Sequence, residues 1–162
     1  MGSVAETVVH RSPAPVLITR KPLRTLKSVL APIRDDRDAQ SGLLAAALVA
    51  RAFKARLDVI NVTSNPAAGV AAKRFMSERL DELPKDVQRD VKRAIEVVVG
   101  RPIPQILRAS LSRDLLVVVA RSKSLLGDMV LGTTAERLLR YAPVPILVIP
   151  APKRRGTVLI AL

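Results

Sequence analysis

The 162-residue sequence has no cysteine, no tryptophan and a single histidine, His10, and its other aromatics are only Phe53, Phe75 and Tyr141. Without cysteine there is no disulfide, no thiolate metal site and no cysteine nucleophile, a composition that suits a reducing compartment. One histidine near the N-terminus builds neither a histidine metal site nor a Ser-His-Asp triad in the central region, so no metal ligands and no catalytic residues are assigned. Three aromatics make no stacking platform for bases. The longest apolar run, Leu43 to Ala50, is eight residues and stops at Arg51. A membrane-spanning helix needs about 20, so no membrane insertion is expected. The N-terminus lacks the layout of a signal peptide, and Glu6 stands where a myristoylation signal has Ser or Thr. Cytoplasm is the expected location. Acidic residues are scarce too: 14 against 27 Lys and Arg leave a net charge of +13. Such a surplus attracts phosphates, acidic lipids or acidic partners without choosing among them.

What is present suffices for a packed domain. Hydrophobic residues are 49% and charged residues 25%, and the length suggests one domain with a little left over. Ser28 to Ile33 reads as a first strand, followed by a charged turn. Ala39 to Arg56 has apolar residues at three- and four-residue steps, a helix. Leu57 to Val62 reads as a second strand, and a polar amphipathic stretch from 67 to 92 as helix broken at Pro84. Ile95 to Val99 is a third strand, Pro102 to Ser112 a short helix, and Leu115 to Ala120 a fourth strand, apolar at every position as in a sheet covered on both faces. A helix is predicted from about Leu125 to Tyr141, then a fifth strand, Ile146 to Ile149. Strands alternating with helices predict an open, doubly wound α/β sheet.

An internal repeat frames this unit. Residues 2–20 and 132–150 align without gaps and agree at Gly2/Gly132, Ala5/Ala135, Glu6/Glu136, Pro13/Pro143, Pro15/Pro145 and Leu17/Leu147. A weaker match sets Ser28-Val29-Leu30 beside Thr157-Val158-Leu159. Residues 1–24 then close one repeat, 25–152 form a complete one and 153–162 begin a third, as in a piece of a longer tandem. The plainer alternative is a single domain with an N-terminal arm and a basic tail, in which Lys153-Arg154-Arg155 is a linker.

Four segments carry a resemblance to the universal stress protein family: Val29 to Ile33, Val98-x-Gly100-x-Pro102 running to Ile106-Leu107, Asp114 to Val117, and Gly132 to Val148. The resemblance spans residues 26 to 150. It implies five parallel strands in the order 3-2-1-4-5, a homodimer or a pseudo-dimer with a neighbouring repeat, contacts along the last strand at Ile146, Leu147, Val148 and Ile149, and a role in surviving stress. One branch of the family binds ATP through a loop spaced Gly-x2-Gly-x9-Gly-[Ser/Thr], where absent side chains let amides reach phosphates. Here the third glycine is Gly132 with Thr133, but the second falls on Ser122 and the first on Val119, a stiff β-branched residue. The family's Asp after the first strand aligns with Arg34.

A nucleotide or anion site built on this pattern would draw on Pro32, Ile33, Arg34, Val62, Ser122, Lys123, Ser124, Gly132, Thr133 and Thr134. Thr133 with Glu136, like Ser3 with Glu6, reads as a capping box, and amides at a helix start attract phosphate. Asp35, Asp36 and Asp38 are placed to meet a nucleotide's Mg²⁺, although acidic residues at a helix start also serve the helix dipole. The favoured reading is a non-catalytic, dimerising stress-response module whose ATP site is weakened or lost, with no cofactor. The alternatives are a nucleotide-binding switch or slow ATP hydrolase of the same family, and a basic nucleic-acid or acidic-lipid binder.

Overall fold

The computed structural model describes residues 3–19, 22, 25–36, 39–122, 129–130 and 132–150. In chain order the strands are β1 (Val16–Ile18), β2 (Ser28–Pro32), β3 (Arg56–Thr63), β4 (Arg93–Val99), β5 (Leu115–Ser122), β6 (Met129–Val130) and β7 (Ile146–Pro150). The helices are α1 (Ser3–Arg11), α2 (Ala39–Ala52), α3 (Gly69–Asp81), α4 (Lys85–Asp90), α5 (Pro102–Ser110) and α6 (Thr133–Tyr141).

The five expected strands form a parallel sheet in the order β4-β3-β2-β5-β7, which is the order 3-2-1-4-5. The winding runs outward from β2 through β3 to β4, then returns to β5 on the other side of β2. A sixth strand corrects the expected count of five: β1 adds antiparallel to the outer edge of β7, pairing Val16 with Val148, Leu17 with Leu147 and Ile18 with Ile146. The edge assigned to dimer contact is thus occupied from within the chain at Ile146, Leu147 and Val148, while Ile149 is paired with Val119 of β5 on the inner side.

Alternate residues of β5 enter two separate cores, which explains the unbroken apolar run. Leu115 and Val117 join one cluster with α2, α3 and α4. Leu116, Val118 and Ala120 join the other with α5, α6 and Val9 of α1. The alanines of α2 bring that helix close to the sheet: Ala46, Ala47 and Ala50 are wholly buried.

Two expectations about the last helix are corrected. It begins at Thr133 rather than near Leu125, and Met129 and Val130 instead pair antiparallel with Ser122 and Arg121. Apolar spacing in that stretch suits helix and strand alike, and Gly132 is extended at φ −67°, ψ 155°, which stops the helix from running back. For the same reason Gly132, not Thr133, is the N-cap, and it makes no side-chain cap bond. The capping box at Thr133 is displaced because that residue is already helical. The strand expected within residues 153–162 lies outside the described residues.

Asp114 ties the start of β2 to the start of β5. The Lys27 and Ser28 amides and the Ser28 hydroxyl all donate to its Oδ2 at 2.9 Å. Partial burial works to raise the pKa of this carboxyl, but the three donors and the Lys27 charge outweigh it and hold the group below its ordinary value. At the same end of the sheet, Asp58 is 4% exposed and takes hydrogen bonds from Arg56 and Arg113 on a single oxygen. With the Asp114 pKa lower in the folded state, its contribution exists above the unfolded value near 3.9 and fades as pH falls through the folded one. Asp114→Ala should cost about 1.5–3 kcal/mol near neutral pH. Urea midpoints across the acid range should show the gap from wild type closing as the pH drops below about 4.

Candidate functional site

The carboxyl ends of β2, β3 and β5 surround a cavity of about 660 Å³. It lies where the winding changes direction between β2 and β5, the place where open α/β sheets leave a crevice. Seven of the ten residues named for a nucleotide or anion site line it: Pro32, Ile33, Arg34, Val62, Gly132, Thr133 and Thr134. Ser122 is the last residue of β5, its backbone paired with Met129. Lys123 and Ser124 lie outside the described residues, as does Asp38.

Local bonds hold each wall. The segment after β2 is pinned to β3 twice: the Ile33 amide donates to the Ile60 carbonyl, and Asn61 Nδ2 donates to the Ile33 carbonyl, both at 2.9 Å. Asn61 is 8% exposed, so this buried amide fixes the direction from which Arg34 approaches. Arg34 Nε stands 3.9 Å from Asp36 Oδ2, with 70% of the arginine side chain exposed. So open and long a pair contributes little. Among the described residues these two carry the only charged side chains on the cavity wall.

The wall after β4 is shaped by Gly100. Its φ is +146°, a conformation that favours glycine, and a Cβ there would stand 2.8 Å from Gln105 Nε2. Its amide donates to the Thr63 carbonyl at 2.9 Å. The opposite wall is the first turn of α6, whose leading amides carry the positive end of the helix dipole.

The floor is set by Val119 and Gly42. A Cβ built on Gly42 would meet Val119 Cγ2 at 2.6 Å, so the valine side chain occupies space that only a glycine on α2 leaves free. Both residues line the cavity. Val119 stands where the family resemblance expects the first glycine of the phosphate loop, but nothing in the sequence signals that α2 answers it with a glycine of its own. Ser64, Gly100 and Pro102 also line the site. Their signal was positional, since each follows the carboxyl end of a parallel strand.

Chemically, the cavity offers an apolar body formed by residues such as Ile33, Ile60 and Val62, hydroxyls from Ser64, Thr133 and Thr134, and one arginine at the rim. Among the described residues no group of three or more His, Cys, Asp or Glu could hold a metal, and no helix is long and apolar enough to cross a membrane.

An open, doubly wound α/β domain with a crevice at its switch point is the class that fold and site define. The model of the universal stress protein family matches residues 25–150, and the chain belongs to that family. A universal stress protein from Archaeoglobus fulgidus is similar over 93% of this chain at 25% identity and a TM-score of 0.74, and this chain covers 56% of it. The chain thus spans a little over half the length of that relative. UspA from Lactobacillus plantarum is 20% identical with a TM-score of 0.62, over 77% of this chain and 98% of its own. A family protein from Burkholderia pseudomallei is 27% identical with a TM-score of 0.57, over 80% of this chain and 100% of its own. No curated protein matches the chain.

The floor contact generates a packing prediction. Gly42→Ala should destabilise by about 1–3 kcal/mol through overpacking, and Val119→Ala in the same chain should recover most of that loss. Denaturant midpoints of the two single variants and the double variant measure the coupling; additive effects would remove the contact.

Proposed function

We propose that this chain is a non-catalytic association module of the universal stress protein family, acting in the cytoplasm, with an ATP site that is weakened or lost. The observation that carries this reading is Val119. Its side chain fills the floor of the crevice against Gly42, where the ATP-binding branch has a glycine that lets backbone amides approach phosphate. Arg34 in place of the family's Asp removes a carboxylate from the opposite wall. Association is supported by the outer edge of β7, which is not left bare but carries an added strand, β1. In this reading β1 stands where the strand of a partner would, a pseudo-dimer made within the chain.

A second reading, a nucleotide-binding switch, is favoured by one feature: the crevice is open, roomy and faced by the start of α6 at Gly132 and Thr133. A solved universal stress protein in complex with cAMP has the same fold, at 18% identity and a TM-score of 0.62 over 79% of this chain and 99% of its own.

Titration with ATP and Mg²⁺ separates the two. A ligand at about a hundred times its Kd adds about 2.7 kcal/mol, on the order of 5–10 °C for a chain of this size. The expected result at millimolar ATP is no heat of binding and a melting temperature unchanged to within about 1 °C. A rise of several degrees would establish the switch instead. Val119→Gly combined with Ser122→Gly should gain nucleotide affinity, read as a melting shift that wild type lacks.

A further inference from the structure

Phe53, Leu111 and Tyr141 are 58%, 71% and 60% exposed, and all three lie at the end of the sheet opposite the crevice. Each stands where a helix hands the chain to a parallel strand. Phe53 follows α2 and precedes β3, Leu111 follows α5 and precedes β5, and Tyr141 closes α6 ahead of β7. With β2 among them these strands run side by side in the order β3-β2-β5-β7. The three apolar residues therefore stand along one row of strand starts, whose members are about 4.8 Å apart.

The same row carries bases. Lys27, Lys54, Arg56, Lys92 and Arg93 are all exposed. The backbone brings them together: the Arg56 amide donates to the Lys27 carbonyl and the Leu57 amide to the Lys92 carbonyl, both at 2.8 Å, while Leu57 pairs with Arg93. Helix dipoles account for bases in last turns, such as Arg51 and Arg89, but Lys27, Arg56 and Arg93 stand on or before strands. The carboxylates at this end are already engaged. Asp58 is buried against Arg56 and Arg113, Asp114 takes the Lys27 and Ser28 amides, and Asp90 meets both Arg51 and Arg89. Lys54 adds a further sign. Its φ is +53°, and it closes α2 with the two bonds a glycine usually provides: its own amide to the Arg51 carbonyl at 3.0 Å and the Ala55 amide to the Ala50 carbonyl at 2.8 Å. Glycine would hold this turn without the steric cost of a side chain, yet a lysine stands there beside Phe53.

We infer that this end of the sheet docks peripherally on an anionic lipid bilayer, with Phe53, Leu111 and Tyr141 entering the headgroup layer and the bases around them meeting lipid phosphates. Charge complementarity argues for this occupant. Large apolar side chains set among cations suit a surface that is anionic outside and hydrocarbon beneath, and tyrosine is at home at that boundary. A nucleic acid also offers phosphates, but it rewards aromatic stacking. Here α2, which leads to Phe53, packs on one face of the sheet and α6, which carries Tyr141, on the other, so the two rings form no common platform. The docking goes beyond the association reading and is independent of whether the crevice takes ATP, because the crevice opens at the other ends of the strands.

The chain has no tryptophan, so Phe53→Trp puts a single reporter at this end, and Val70→Trp puts one in the first turn of α3 at the crevice end, where the valine is 84% exposed. With vesicles of phosphatidylglycerol and phosphatidylcholine in equal parts, at low salt, the Phe53→Trp emission should move to the blue and the Val70→Trp emission should not. Co-sedimentation with the same vesicles should show Leu111→Ser weakening binding about tenfold and Lys54→Gly about fivefold, with binding lost as salt rises. Lys54→Gly relieves the backbone, so its melting temperature should be unchanged or higher, and binding lost in that variant is not lost folding. Arg101→Gln, at the crevice end, should stay within about twofold of the parent chain. Absence of binding at low salt, equal binding to vesicles of phosphatidylcholine alone, a blue shift equal at both reporters, or equal losses for Lys54→Gly and Arg101→Gln would each overturn the docking. Vesicles ignored while a single-stranded RNA is bound through Lys54 would overturn it too and assign the face to nucleic acid.

Discussion

Val119 has room for its side chain only because residue 42 has none. The distance between α2 and β5 at this point is therefore set by a valine on the strand and a bare backbone on the helix. The buried alanines Ala46, Ala47 and Ala50 carry the same close approach along α2. A large residue facing a small one conserves volume, which is what a densely packed core requires. β5 is one of the two strands between which the winding reverses, so the contact that sets the approach of α2 to β5 is also the floor of the crevice. Stability and the space left for a ligand have a common cause here, and a change that widens the crevice must also be absorbed by the packing.

How much of this was legible in the sequence depended on distance along the chain. Alternation and unbroken apolar runs located the five parallel strands, and Leu115 to Ala120 declared a strand covered on both faces. Features joining distant positions were not legible. Nothing in the spacing linked Val119 to Gly42, or Asp58 to Arg113, because such pairs exist only once the sheet order brings their elements together. The start of α6 failed for another reason. The apolar spacing from Leu125 to Val130 satisfies helix and strand equally, and the choice is made by the extended backbone at Gly132, which spacing does not encode. The cap moved by a single residue, from Thr133 to Gly132, because Thr133 is already helical. Seven of the ten proposed site residues were brought together because they lie at or just after the carboxyl ends of strands or open a helix. Those positions are readable once the strands are known.

The net charge of +13 sits uneasily beside a crevice with one arginine. Many of the carboxylates are already engaged: Asp86 and Asp90 both meet Arg51, Glu78 meets Arg74, and Glu82 meets Arg79. These pairs cluster on α2, α3 and α4, and they brace that layer rather than neutralise the molecule. Asp86 shows the balance within one group. Desolvation works to raise its pKa, but the hydrogen bond and charge of Arg51 prevail and the carboxyl stays below its ordinary value. Among the described residues Arg101, Arg108 and Arg137 are exposed outside that layer, where they can attract phosphate over a broad surface without directing it to the crevice.

The two ends of the sheet are guarded differently. At β4, Arg93 and Glu96 are exposed on the edge strand, the usual defence against pairing with another chain. At the other end β1 has three residues and a ladder too short to hold by itself. It stays in place because Val9, Val16 and Ile18 join the core beside α6. On the opposite face Leu17 is 48% exposed, while α2 lies over β2, β3 and β5. The anchoring is thus one-sided, and it comes from apolar burial on the face that α1 shares with α6.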